Sequence, residues 1–235
     1  LLQTRLKTVL AYSTVSQMGL VFMLAVLAVF APARAALLPL LGLVVLHHGL
    51  NKAALFLAAG SLPLATRWRR MLFIVPALSM AGLPLLSGAL AKGGLKSALD
   101  AAGQGLPAAW WLSLGSLATA CLLWRALSLA RAGEGAQPAP IHPAWPMLVV
   151  LGLVVPWSWA YAHGLAALPR VSYILDGTWP LVAAAAMVFA GARVLRRWPR
   201  IDPVGRIPEG DVLVALLAML ARIRAFAHQA WPRLP

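Results

Sequence analysis

Acidic residues are scarce in this chain: 6 Asp and Glu stand against 20 Lys and Arg in 235 residues, a formal net charge of +14. Asp100, near the outer end of its run, is the only carboxylate between Leu1 and Gly133, so His48, Lys52 and Lys92 have no acid within one helical turn in sequence. Cysteine is rarer still. Cys121 alone, in an apolar run, excludes an intrachain disulfide and reads as an inert packing group. Charge of either sign makes up 11% of the chain, while 61% is hydrophobic and the mean hydropathy is +0.81. A soluble domain of this length cannot hide that much apolar surface in one core, so the bilayer must be the solvent for much of it. Metal-ligand spacing, a nucleophile elbow, a phosphate loop and a dinucleotide fingerprint are also missing. No cofactor, no metal and no redox or hydrolytic chemistry of its own is expected. A signal-peptide pattern is lacking too, and the first residues read like the inside of a larger protein, so the chain is expected to be a C-terminal piece.

What is present is a series of apolar runs with bases between them. In a soluble protein the basic excess would suggest nucleic acid. Here the bases sit singly or in short clusters, which suits loops facing anionic lipid, and no nucleic-acid partner is expected. A spanning helix needs about 20 apolar residues, and such runs occur near 8–31, 36–61, 71–103, 110–131, 145–163 and 178–195. Breakers separate them, among them the stretches 103–107 and 169–177. One set of run ends carries Arg5 and Lys7, then Arg67, Arg69 and Arg70, then Arg131, then Arg193, Arg196, Arg197, Arg200 and Arg206. The opposite set carries only Arg34 and Arg170. The positive-inside rule then puts both ends of the segment in the cytoplasm, as a multi-pass protein of a bacterial cytoplasmic membrane.

The third run is too long for one straight helix and contains Gly82-Leu-Pro84-Leu-Leu-Ser87-Gly88. A break inside the membrane is expected there, with its unwound backbone facing protein or water because lipid cannot satisfy it. Residues 208–228 are short for a span and suit a helix lying at the cytoplasmic interface. The fold expected is all-α integral membrane: about six transmembrane helices, one broken mid-membrane, plus a short C-terminal interfacial helix. Residues 1–131 would form an ion-translocation core, 132–207 further spans, and 208–235 the interfacial helix and tail.

Ionisable residues inside spans mark ion pathways or buried pairs. Lys7 stands at the inner end of the first span, before Tyr12, Ser13, Thr14, Ser16 and Gln17. His47, His48 and Lys52 lie within the second, Lys92 and Lys96 follow the break, and Arg125 sits in the fourth. His48 and Lys52 are one helical turn apart and share a face, as do Lys92 and Lys96. An imidazole that titrates near neutrality, one turn from an amine taken out of water, gives two groups able to exchange a proton. Each has a plainer reading. Lys7 and Arg125 can snorkel to an interface, Lys96 can reach the outer water, and His47 can donate to a backbone carbonyl.

Three motifs give these residues a wider setting. The stretch Leu1–Gly19, with Lys7 and the run Ala11-Tyr12-Ser13-Thr14, resembles the signature LxQxDLKRxLAYSTxSQxG. His48–Ser61 is similar to HAxFKALLFLxAGS, and Ala81–Lys92 to AGxPPxSGFxSKD. All three belong to the antiporter-like membrane subunits shared by respiratory complex I, membrane-bound hydrogenases and multisubunit cation/proton antiporters. The resemblance covers residues 1–103; beyond them only span layout and Arg125 agree. It implies two inverted repeats with a broken helix in each, of which this segment holds most of the second, and an N-terminal half not contained in it. It implies a proton path through Lys7, His48, Lys52 and Lys92, with His47, Lys96 and Arg125 as further candidates. Its implied partners are membrane lipid, the other subunits of a complex and the missing N-terminal half. The chain would not be catalytic alone but a membrane subunit of an ion-translocating complex, an NADH:quinone oxidoreductase-like one being among those the resemblance offers.

The departures from the patterns that bear on a proton path concern titratable residues. Arg5 stands where the first pattern has an acid, Val44 where a second histidine is found, and Gly93 and Gly94 where acids follow the lysine; Lys96 is extra. The expected function is a proton-translocating antiporter-like subunit coupled to a partner enzyme. Its rivals are a non-conducting scaffold that anchors a partner, and a sodium/proton antiporter module, which would want oxygen ligands near the break.

Overall fold

A computed structural model of the chain describes residues 5–30, 34–61, 64, 66–101, 105–131, 140–165 and 171–197. Among them are seven helices and no strand: α1 (Leu6–Phe30), α2 (Arg34–Gly60), α3 (Arg67–Ala81), α4 (Ser87–Ala101), α5 (Gly105–Arg131), α6 (Ala144–Ala162) and α7 (Val171–Arg197). The all-α membrane reading holds. Four helices are long and apolar enough to cross a bilayer, namely α1, α2, α5 and α6. The shorter α3 and α4 are the halves of the expected broken span, and the apolar part of α7 runs from Gly177 to Gly191. The interfacial helix expected at 208–228 lies outside the described residues.

Two boundaries differ from expectation. Residues 171–177, expected as loop, form the first turns of α7, which continues through Gly177 without a break. Likewise α5 starts at Gly105 although Pro107 follows. Proline in a first turn removes only an N–H that has no intrahelical partner there.

Within lipid the apolar effect does not drive helices together, so close packing and polar contacts must. Helix α2 is central, touching α1, α3, α4 and α6. Two apolar clusters cap the bundle. One joins Leu6, Leu10, Ala58, Leu64, Phe73, Ala130 and Trp145; the other joins Leu24, Leu40, Leu43, Leu95, Leu99 and Ala160. The start of α1, end of α2, start of α3, end of α5 and start of α6 therefore share one end of the bundle. Trp110 meets Trp179 and Trp124 meets Phe189, both edge-on, so α7 runs parallel to α5. Successive traverses alternate in direction, and Arg5, Lys7, Arg67, Arg69, Arg70 and Arg131 gather at the same end. The arginines there bind backbone: Arg69 donates to the Ser61 carbonyl at 2.8 Å and Arg70 Nε to that of Leu64 at 3.1 Å.

The break occupies Gly82–Leu86. Gly82 closes α3 at φ 92°, the left-handed cap that glycine takes without a Cβ penalty, and its N–H bonds back to Leu78 and Ser79. Leu85 also has positive φ, 70°, a conformation a branched side chain seldom adopts and the surroundings must enforce. Trp157 of α6 contributes by donating its indole N–H to the Leu85 carbonyl at 3.2 Å. The chain then turns so sharply that α4 begins beside the last turn of α3. A Cβ on Gly88 would overlap the Ser79 carbonyl oxygen, so only glycine permits that approach.

Candidate ion-translocation site

The break leaves carbonyls without helical donors, and a partly buried base answers one of them. Lys92, on the second turn of α4, reaches back to the Ala81 carbonyl at the end of α3, 2.8 Å away, and to the Ser116 hydroxyl of α5, also at 2.8 Å. Ser116 in turn donates to Leu112 within its own helix. Lys52 is 5% exposed despite its length. It crosses to α1, where its amine donates to the Leu10 carbonyl at 2.9 Å and to the Ser13 hydroxyl. Both amines thus point into the bundle and toward oxygen, which satisfies an ammonium at a depth where lipid cannot.

A second group of contacts surrounds His47, which is 6% exposed. Its Nδ1 lies 2.9 Å from Ser87 Oγ and 3.2 Å from the Asn51 amide nitrogen. Asn51 also donates to the His47 carbonyl at 2.7 Å. Ser87, the first residue of α4, lies 3.0 Å from Ser79 Oγ and donates to the Gly152 carbonyl of α6 at 3.1 Å. That carbonyl is free because Pro156, four residues on, has no N–H to give it. With the Ser87 proton committed to Gly152, the Ser87 oxygen accepts from His47 Nδ1–H. The Asn51 amide gives its proton to the His47 carbonyl, and the Ser87 contact selects the tautomer with the proton on Nδ1.

The two groups meet at a cavity of about 200 Å³ lined by Ser16, Gln17, His47, His48, Lys92 and Ser116 among apolar neighbours. A water occupies roughly 30 Å³ of liquid volume, so several fit, and the wall offers them donors and acceptors. His48 is 6% exposed, and its Nε2 has no hydrogen-bond partner among the described residues. Gln17 donates to Thr119 of α5 at 3.2 Å, which ties α1 to α5 beside the cavity.

Of the residues singled out in the sequence, His47, His48 and Lys92 come together on one wall, and Lys52 lies one turn further along α2. Lys7 is exposed at the start of α1, and Lys96 and Arg125 are partly buried without lining the cavity. Asn51, Ser79, Ser87 and Ser116 are residues that sequence reasoning missed. Two signals were available: Ser87 stands inside the break motif, and Pro156 marks the Gly152 carbonyl as one in need of a donor.

Residues 1–108 match the family model described as NADH:quinone oxidoreductase/Mrp antiporter, transmembrane. That bears out the resemblance drawn from the three motifs, and the matched stretch ends soon after the third. The family is one of antiporter-like, proton-translocating membrane subunits of multisubunit complexes. No curated protein and no solved structure matches the chain.

Proposed function

We propose that this chain carries protons across a bacterial cytoplasmic membrane as part of an antiporter-like subunit, coupled to a partner enzyme in the same complex. Lys52, His48 and Lys92 form the path, His47 flanks it, and Lys7 extends it onto the exposed side of α1. The chain crosses about six times, counting α3 and α4 as one interrupted span, with the basic end in the cytoplasm where anionic lipid and the positive-inside rule favour it. Residues 1–131 are the translocating core.

The observation that carries this reading is the cavity. Two imidazoles and an amine share a space large enough for water at the break in a membrane helix. Each is a group that can take up and release a proton, and waters between them supply the connection that direct contacts do not. The match of residues 1–108 to a proton-translocating family gives the same direction from sequence.

Proton pumping by the assembled complex in sealed vesicles tests it. Lys52→Ala and Lys92→Ala are expected to cut pumping sharply while the complex still assembles. Undiminished pumping by both assembled variants would refute the path and leave the scaffold reading in its place.

A further inference from the structure

The cavity wall is one-sided in charge. Among the described residues His47 and His48 of α2 and Lys92 of α4 are its titratable groups; α1 contributes Ser16 and Gln17, α5 contributes Ser116 and Trp111, and none on the wall is acidic. Every polar side chain there can donate a hydrogen bond. Lys92 spends two of its donors on Ala81 and Ser116, and a third remains. The Gln17 amide has one N–H beyond the one it gives Thr119. His48 Nε2, more than nine-tenths buried, has no partner among the described residues.

A charged ammonium at this depth requires a counter-charge or a high cost in desolvation. In the pattern that residues 81–92 resemble, acids follow the lysine; here those places are Gly93 and Gly94. Helix packing has closed one of them. A Cβ at Gly94 would sit 2.5 Å from Leu40 Cδ1, so α2 fills the place of a side chain there. In place of a built-in negative charge there is a largely apolar space with a few hydrogen-bond donors in its wall beside Lys92.

The geometry points to a binding site for one small inorganic anion, chloride-sized, in the cavity between His48, Gln17 and Lys92. Such an ion plays the part of the missing carboxylate: it accepts from the free Lys92 and Gln17 donors and neutralises Lys92 when that amine is charged. The space admits it with waters to spare, since an ion of this size occupies about the volume of one water, roughly 30 Å³, in a cavity of about 200 Å³. The site does not depend on conduction, because a scaffold that buries Lys92 needs the same counter-charge.

Quadrupolar line broadening of chloride in solution magnetic resonance, on the purified complex, reads such binding directly. Wild type is expected to show excess broadening that bromide competes away and gluconate does not. Ser116→Asp places a carboxylate where the Ser116 hydroxyl now meets Lys92, and is expected to abolish the excess. Lys92→Met is expected to abolish it by removing the cation. Ser97→Asp makes the same change in net charge on the exposed side of α4, away from the cavity, and is expected to leave the excess intact. Lys92→Arg keeps the cation and keeps the signal even where pumping fails, which separates this site from the proton path. No excess in wild type, or an excess that survives both Ser116→Asp and Lys92→Met, overturns the proposal. Equal loss in Ser97→Asp overturns it as well, because it would show halide held only by overall charge.

Discussion

Ser87 donates its hydroxyl proton to the Gly152 carbonyl, 3.1 Å away, and so supplies the bond that Pro156 denies its own helix. One contact links three features: the start of the second half-helix, a proline inside α6, and the imidazole of His47, which shares Ser87 Oγ at 2.9 Å. Because the hydroxyl is spoken for by Gly152, it presents its lone pairs to His47 and Ser79. The orientation of a candidate proton carrier is therefore set by a proline in another helix.

Ser87→Ala is expected to destabilise the protein by about 1–3 kcal/mol, the cost of leaving buried partners unsatisfied. Adding Pro156→Ala returns a helical N–H to the Gly152 carbonyl and is expected to recover part of that loss. Thermal unfolding midpoints of the two single variants and the double variant in detergent give the coupling. Strictly additive effects would show that Ser87 and Pro156 do not act on the same carbonyl.

Glycines at the break differ in what they permit. Gly82→Ala forces a Cβ into a left-handed cap, about 1–2 kcal/mol, and brings it within 3.0 Å of Lys92 Nζ. It is expected to lower stability modestly and to disturb pumping by shifting that amine. Gly88→Ala meets backbone instead, and is expected to prevent accumulation of folded protein. Gly19 of α1 has nothing within 4 Å of its would-be Cβ, so Gly19→Ala is expected to be neutral. Membrane yield and unfolding midpoint check the order Gly88, Gly82, Gly19.

Sidedness follows from the clusters that cap the bundle. Thr66, exposed at the start of α3, stands at the basic end, and Asp100, exposed near the end of α4, at the other. With the native Cys121, which is buried, replaced by Ala, Thr66→Cys is expected to react with an impermeant thiol reagent only from the cytoplasm and Asp100→Cys only from outside. Labelling of both from one side would undo the orientation and the alternation together.

How much of this was legible in the sequence depends on the kind of signal. Apolar run length found α1, α2, α5 and α6, because a bilayer has a fixed thickness, and Gly82, Pro84 and Gly88 found the break, because helices cannot run through such a cluster. Lys52 and Lys92 were legible because a base in an apolar run has few places to go. The first turns of α7 were not, since Gly177 and Pro180 look like breakers until packing shows them tolerated inside a helix. Asn51, Ser79 and Ser116 were invisible as site residues. Small polar side chains are common in membrane helices, and only the positions of neighbours tell which of them meet. The Lys92–Ser116 bond joins consecutive helices, α4 and α5, and nothing in the sequence says which of the small polar residues on α5 the amine meets.

The decisive prediction concerns the chemistry of Lys92. A residue that carries a proton must lose it as well as hold it, and arginine stays protonated at any working pH. Lys92→Arg is therefore expected to stop pumping nearly as completely as Lys92→Ala, although it keeps the charge and the capacity to bond Ala81 and Ser116. A merely structural Lys92 predicts the opposite: arginine would substitute and alanine would fail. Lys96→Ala is expected to matter less, because Lys96 does not line the cavity and water can replace a group near the outer end. Gly93→Asp adds an acid next to Lys92 in sequence and favours its charged form, so it is expected to change the pumping rate if the path is live. Proton uptake by energised vesicles, with assembly of each variant confirmed, reads all four. Wild-type pumping throughout, with Lys92→Arg and Lys92→Ala alike unaffected, would remove Lys92 from the path and leave this chain as the membrane anchor of its complex.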